Sequence, residues 1–201
     1  MSGRDSLDET VAAARACTLC AAHLPLGPRP VLRARATARL LIVGQAPGTR
    51  VHATGIPWND PSGDRLRAWM GVDRETFYDE DRVAIVPMGL CYPGRLPRGG
   101  DAPQRPDCAP TWHPPLLAGL PRVGLTLLVG QYAQARYLGD RRARTMTETV
   151  RGFAAPLAEA GRLPLPHPSW RNTAWLRRNP WFETELLPVL RARVAALLTE
   201  G

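Results

Sequence analysis

Three groups of residues in this chain have types and spacings that suit chemistry. The first is the turn Gly44-Gln45-Ala46-Pro47-Gly48, which ends an apolar run at residues 40–43 and whose backbone amides can face a bound group. The second is a set of four cysteines, Cys17, Cys20, Cys91 and Cys108, one close pair and two distant members. Four thiolates in that arrangement can hold zinc or an iron–sulfur cluster. The same residues also suit a redox pair at Cys17 and Cys20 with two buried core cysteines. The third pairs Trp58, a flat side chain able to stack on a planar ligand or to anchor a core, with the late segment Pro166-His167-Pro-Ser169-Trp-Arg171-Asn172.

These groups need a scaffold, and the apolar runs supply one. Residues 40–43, 83–86, 123–130 and 162–166 read as strands, the third passing directly into a helix at 131–138. Further helices are expected at 6–16, capped by Ser6 with Glu9, at 64–70, and in two parts between 175 and 198 separated by Pro180. Residues 92–110 and 139–152 read as loops, with a short helical piece at 116–120. Strand and helix alternate, which predicts one three-layer α/β/α domain over residues 1–201 with a mostly parallel four-stranded sheet. Its strand ends converge on one edge, where the turns at 44–48 and 166–172 meet.

Composition narrows the partners. The chain has 201 residues and a formal charge of +8, and all 26 basic residues are arginine. Arginine presents a rigid fork of donors to phosphate oxygens, which favours a polyanion, although a coding bias gives the same composition without that meaning. No run is long and apolar enough for a membrane span, and the first residues lack the pattern of a leader. A soluble, cytoplasmic monomer with no membrane partner is expected.

Taken in order, Leu41-Ile-Val-Gly-Gln-Ala-Pro-Gly48, Gly55-Ile-Pro-Trp-Asn-Asp-Pro-Ser-Gly-Asp-Arg-Leu66, the cysteine spacing, Leu127-Leu-Val-Gly130 and His167-Pro-Ser169 resemble the uracil-DNA glycosylase superfamily, and most closely its iron–sulfur branch. The resemblance implies a monofunctional enzyme that hydrolyses the N-glycosidic bond of deoxyuridine in DNA. It places uracil against Gly44, Gln45, Ala46, Pro47 and Gly48, a stacking role on Trp58, and donation to uracil O2 on His167. It also implies a [4Fe–4S] cluster on Cys17, Cys20, Cys91 and Cys108, with zinc as the alternative occupant. Ser169, Arg171, Asn172, Arg177 and Arg178 are the expected DNA contacts, with Arg141, Arg142 and Arg144 as further phosphate clamps.

Departures from the family pattern shape the remaining expectations. Pro87 stands where an asparagine usually reads the base edge, so uracil recognition is expected from backbone groups at Met88 and Gly89 or from the side chain of Asn59, with Asn172 a further candidate. Gln45 replaces a glutamate common in the branch. Ala46 replaces the water-activating aspartate of the classical enzymes, as the branch does, leaving Asp60 and Asp64 as the nearest carboxylates. No lysine exists to form the Schiff base of a strand-cutting step, and only the N-terminal amine could. A damaged-DNA-binding protein with little turnover and a small-molecule nucleoside hydrolase are the competing readings.

Overall fold

Four short strands, β1 (Leu40–Val43), β2 (Val83–Ile85), β3 (Leu125–Val129) and β4 (Arg162–Leu165), lie in the order β2-β1-β3-β4 with every pairing parallel. They belong to a computed structural model that describes residues 3–97 and 99–199, with side chains of the first helix described from Leu7 onward. The expected Ser6 cap lies outside the described side chains. Parallel strands are covered on both faces, so their sequences are apolar throughout rather than alternating. In β1, Leu40 and Ile42 enter one core with Leu66, Phe182 and Leu190, whereas Leu41 and Val43 enter the other with Leu7, Val11 and Leu116. The sheet is thus the middle of three layers, as the strand and helix alternation predicts.

The helices are α1 (Gly3–Arg15), α2 (Thr49–Thr54), α3 (Pro61–Met70), α4 (Arg74–Tyr78), α5 (Cys108–Ala118), α6 (Gln131–Leu138), α7 (Met146–Arg151), α8 (Ala154–Ala160), α9 (Thr173–Arg178) and α10 (Leu187–Thr199). Helices α1, α5 and α6 cover one face, and α3, α7, α8 and α10 cover the other. Two of these, α5 and α7, correct the sequence reading, and α8 fills a stretch it left unread. Helix α5 runs from Cys108 through Pro114 and Pro115, where a loop and a short piece are expected. The penalty of interior prolines is outweighed because Ala109, His113 and Leu116 recur on one buried face against α1. Helices α7 and α8 occupy the segment before β4, and α7 opens on a capping box between Thr145 and Glu148, a signal present in the sequence.

His113 of α5 ties this layer to the end of β2. Its Nε2–H donates to the Pro87 carbonyl at 3.0 Å, and its Nδ1 accepts from the Tyr137 hydroxyl. The ring is 2% exposed, and desolvation pulls its pKa from 6.5 down to about 4. The unfolded chain takes up that proton first, so the stability from a neutral His113 is complete above pH 6.5 and is lost as the pH falls toward 4. We expect about 3 kcal/mol of acid destabilisation from this residue. Urea unfolding of His113→Gln should show a correspondingly flatter pH dependence, and identical slopes in both proteins would contradict the assignment.

Candidate active site

Because all four strands point the same way, the turns that follow them meet at one edge, at the crevice where strand order reverses between β1 and β3. There they enclose a cavity of about 560 Å³, within the roughly 300–1,000 Å³ usual for ligand sites. The turn after β1 contributes Gly44, Gln45, Ala46, Pro47 and Gly48, the end of β2 contributes Pro87, and the segment after β4 contributes His167, Ser169, Trp170, Arg171 and Asn172. Trp58 and Asp60 form a further wall. The two turns expected to meet therefore do so.

Trp58 is held by strain that its neighbours oppose. It is the one described non-glycine residue with positive φ, at 55°, a conformation costing about 1–3 kcal/mol. The Pro57 carbonyl accepts from the Tyr78 hydroxyl at 2.8 Å, and the Trp58 carbonyl accepts from Arg67 at 3.4 Å. Two glycines make room for it. A Cβ on Gly44 would fall 2.8 Å from Trp58 Cζ2, and one on Gly63 would fall 1.8 Å from the Trp58 carbonyl oxygen. Asp60 caps α3 by accepting from the Gly63 N–H at 2.8 Å, so cap, glycine and tryptophan form one unit.

His167 faces this unit. Its ring centroid lies 5.6 Å from that of Trp58, with the planes 32° apart. Asn172 donates to its carbonyl at 2.7 Å, and Arg65 donates to the Ser169 carbonyl at 3.1 Å, pinning the backbone on both sides of Pro168. Desolvation lowers the His167 pKa below 6.5, against the smaller opposing pull of the Asp60 carboxylate. The ring is therefore neutral at pH 7 and offers a single N–H, with no cation to compete for the ligand.

The groups expected to read the base edge are placed elsewhere. The Met88 N–H donates to the Gly44 carbonyl at 2.9 Å, and the Gly89 N–H donates to the Gln45 carbonyl at 2.8 Å. The parallel ladder continues past β2 and uses both amides, and the Met88 side chain is buried in the core. The Pro87 carbonyl is taken by His113. Asn59 turns away from the cavity, accepting from Arg74 at 3.1 Å and donating to Thr54 Oγ1 at 3.5 Å. The Asn172 amide nitrogen serves the His167 backbone. Gln45 and Gln131 are the other amide side chains on the cavity wall, and neither hydrogen-bonds elsewhere among the described residues.

Of the acidic candidates, Asp60 lines the cavity, whereas Asp64 does not and is paired with Arg67. Among the expected phosphate contacts, Arg171 lines the cavity, while Arg177 and Arg178 are exposed on α9, away from the wall. Arg141 is ion-paired with Glu159. Sequence reasoning missed Arg95, Asp101, Gln131 and Trp170 as wall residues. Gln131 follows Gly130 at the β3–α6 junction, a position strand topology marks, and Trp170 adjoins the His167 motif. Asp101 carries no local signal.

The four cysteines, from just beyond α1, the turn at residues 19–20, the loop after β2 and the start of α5, line one small cavity. The Leu90 N–H donates to Cys108 Sγ at 3.3 Å. Among the described residues, Arg105 Nε and Trp112 Nε1 are buried without a hydrogen-bond partner, and both residues line the same cavity. Burial raises the Cys91 thiol and pushes Cys108 up to about 11. Among the described residues, no three histidine, cysteine or acidic side chains are gathered into a preassembled metal site.

Gly63→Ala should cost about 3 kcal/mol or more, because the new methyl cannot coexist with the Trp58 carbonyl. Thermal unfolding followed by circular dichroism measures this, and an unchanged midpoint would contradict the packing.

No helix among the described residues is long and apolar enough to cross a membrane. A family model described as uracil DNA glycosylase superfamily matches residues 33–191, a span that starts after Cys17 and Cys20 and includes every residue lining the sheet-edge cavity except Val31. On that match the chain belongs to the uracil-DNA glycosylase superfamily.

Proposed function

We propose that this protein is a monofunctional uracil-DNA glycosylase, which hydrolyses the N-glycosidic bond of deoxyuridine in DNA to free uracil and an abasic site. The observation that carries the reading is the neutral, backbone-pinned His167 packed beside Trp58 on the wall of the cavity at the sheet edge. Bond cleavage sends negative charge onto the departing base. A fixed N–H donor beside O2 stabilises that charge as it develops, and one such donor is typically worth about 3 kcal/mol. The base must first leave the stack, at a cost of a few kcal/mol, and the Trp58 face recovers part of it. Trp170, 76% exposed at the cavity rim, is an apolar wedge for the gap left in the duplex. Arg171 beside it supplies a phosphate contact, with Arg177 and Arg178 on the neighbouring surface.

Uracil offers a donor at N3 and an acceptor at O4, so its reader must present an acceptor and a donor together. Gln45 takes that role here, since the Met88 and Gly89 amides and Asn59 are otherwise engaged. Single-turnover release of free base from uracil-DNA, compared with free deoxyuridine, tests the function. His167→Ala and Gln45→Ala should each raise the barrier by about 2–4 kcal/mol, and Asn59→Ala by less than about 1 kcal/mol. Equal rates on deoxyuridine would favour a nucleoside hydrolase. Uracil-DNA binding without release would leave a damage-binding protein.

We infer that Cys17, Cys20, Cys91 and Cys108 hold a [4Fe–4S] cluster, which would align the chain with the iron–sulfur branch. The donor set suits it, and the unpartnered Arg105 and Trp112 N–H groups suit sulfur acceptors in that cavity. Such a cluster would tie α1, the loop after β2 and α5 together, acting as a staple remote from His167. Purified protein should be brown with a broad visible band, and Cys108→Ala should lose solubility before it loses chemistry. Colourless protein with stoichiometric zinc would overturn the cluster assignment.

A further inference from the structure

Between Cys91 and Cys108, Arg95, Gly100, Asp101 and Ala102 line the cavity. Arg95 and Asp101 form an antiparallel bridge, with the Leu96 N–H on the Gly100 carbonyl at 2.9 Å and the Ala102 N–H on the Gly94 carbonyl at 2.8 Å. Three close approaches fix its position. A Cβ on Gly48 would lie 3.6 Å from Asp101 Oδ2, and one on Gly100 would lie 2.6 Å from Arg171 Nη1. A Cβ on Gly89 would lie 2.6 Å from Gln104 Cβ and 3.5 Å from Ala46 Cβ. The loop therefore sits directly on the turn after β1, and Asp101 stands at the rim between that turn and Arg171.

Glycosidic hydrolysis needs two things that His167 cannot supply. As the base departs, positive charge develops at the sugar C1′, and an attacking water must lose a proton. Two carboxylates line the cavity, Asp60 and Asp101. Asp60 is committed through Oδ1 to the α3 cap on the side of Trp58. The Asp101 side chain makes no hydrogen bond among the described residues and is partly open to solvent, so a water can reach it.

We propose that Asp101 is the general base of the excision reaction, binding the attacking water at the cavity rim and facing the sugar cation. The inference rests on the glycosylase reading above. The C1′–N1 bond breaks with its electron pair leaving on the uracil, whose developing anion accepts the His167 hydrogen bond. The water oxygen then bonds to C1′, and its proton passes to the Asp101 carboxylate and on to solvent. Arg95 and Arg171 face Asp101 and favour its charged form, while desolvation, which is larger, and the Asp60 carboxylate act against it. The net displacement is upward from 3.8, which strengthens Asp101 as a proton acceptor.

The test uses full-length protein and Asp101→Asn, with Asp101→Glu as the conservative variant. Single-turnover excision on uracil-DNA is followed across pH, and binding to the uracil-free duplex is measured in parallel. Asp101→Asn should excise at least about 100-fold more slowly, with duplex binding not weakened, since a negative charge is removed from the DNA-facing rim. The fall in wild-type rate at acid pH should persist in Asp101→Glu and vanish in Asp101→Asn. An Asn variant as fast as wild type, or one that keeps the acid limb, would overturn the proposal while leaving the glycosylase reading intact. A wild-type protein that frees no base from uracil-DNA would remove that reading, and this proposal with it.

Discussion

The parallel pairing of β1 with its neighbours is the constraint on which the site depends. It sends the turns after all four strands to one edge, and it continues beyond the strands through the Met88 and Gly89 amides bonded to Gly44 and Gln45. Those two bonds fix the turn after β1 against the end of β2. Gln134, buried in α6, donates to the Leu165 carbonyl at 2.8 Å and so holds the end of β4 just before His167. Cavity wall and donor are thus registered by backbone bonds rather than by loop packing, which suits a site needing sub-ångström placement.

Strain and burial are concentrated where the proposed chemistry would occur. Trp58 takes a left-handed backbone whose carbonyl occupies the space a Cβ on Gly63 would fill, and Arg67, buried beneath, lies over Phe77 and Tyr78 at 5.1 and 5.7 Å. His167 gives up part of its basicity to remain neutral. Neither feature improves stability, and a ring platform beside a neutral donor is what an extruded planar base requires.

Much of the architecture is legible in the sequence because it rests on local patterns. Residues 40–43 are apolar at every position, which a doubly covered parallel strand requires, and the β3–α6 junction is marked by Gly130. The four cysteines do line one cavity, as the expected site closed by distant loops requires. What escaped the sequence depends on direction and distance. Helix α5 is hidden by its prolines, since only burial against α1 outweighs them. Asn59 adjoins Trp58 in sequence, yet the left-handed backbone at Trp58 turns it toward Arg74. Whether the Met88 amide is free depends on its pairing with β1, and Asp101 reaches the cavity only because a loop without periodicity folds back over Gly48.

A structure bound to duplex DNA carrying an abasic site, with free uracil added, tests the central claim most directly. The account predicts uracil stacked on Trp58, with the His167 N–H on O2 and the Gln45 amide on the N3 and O4 edge. Uracil bound outside the sheet-edge cavity, or seated there with His167 turned away from the base, would contradict it.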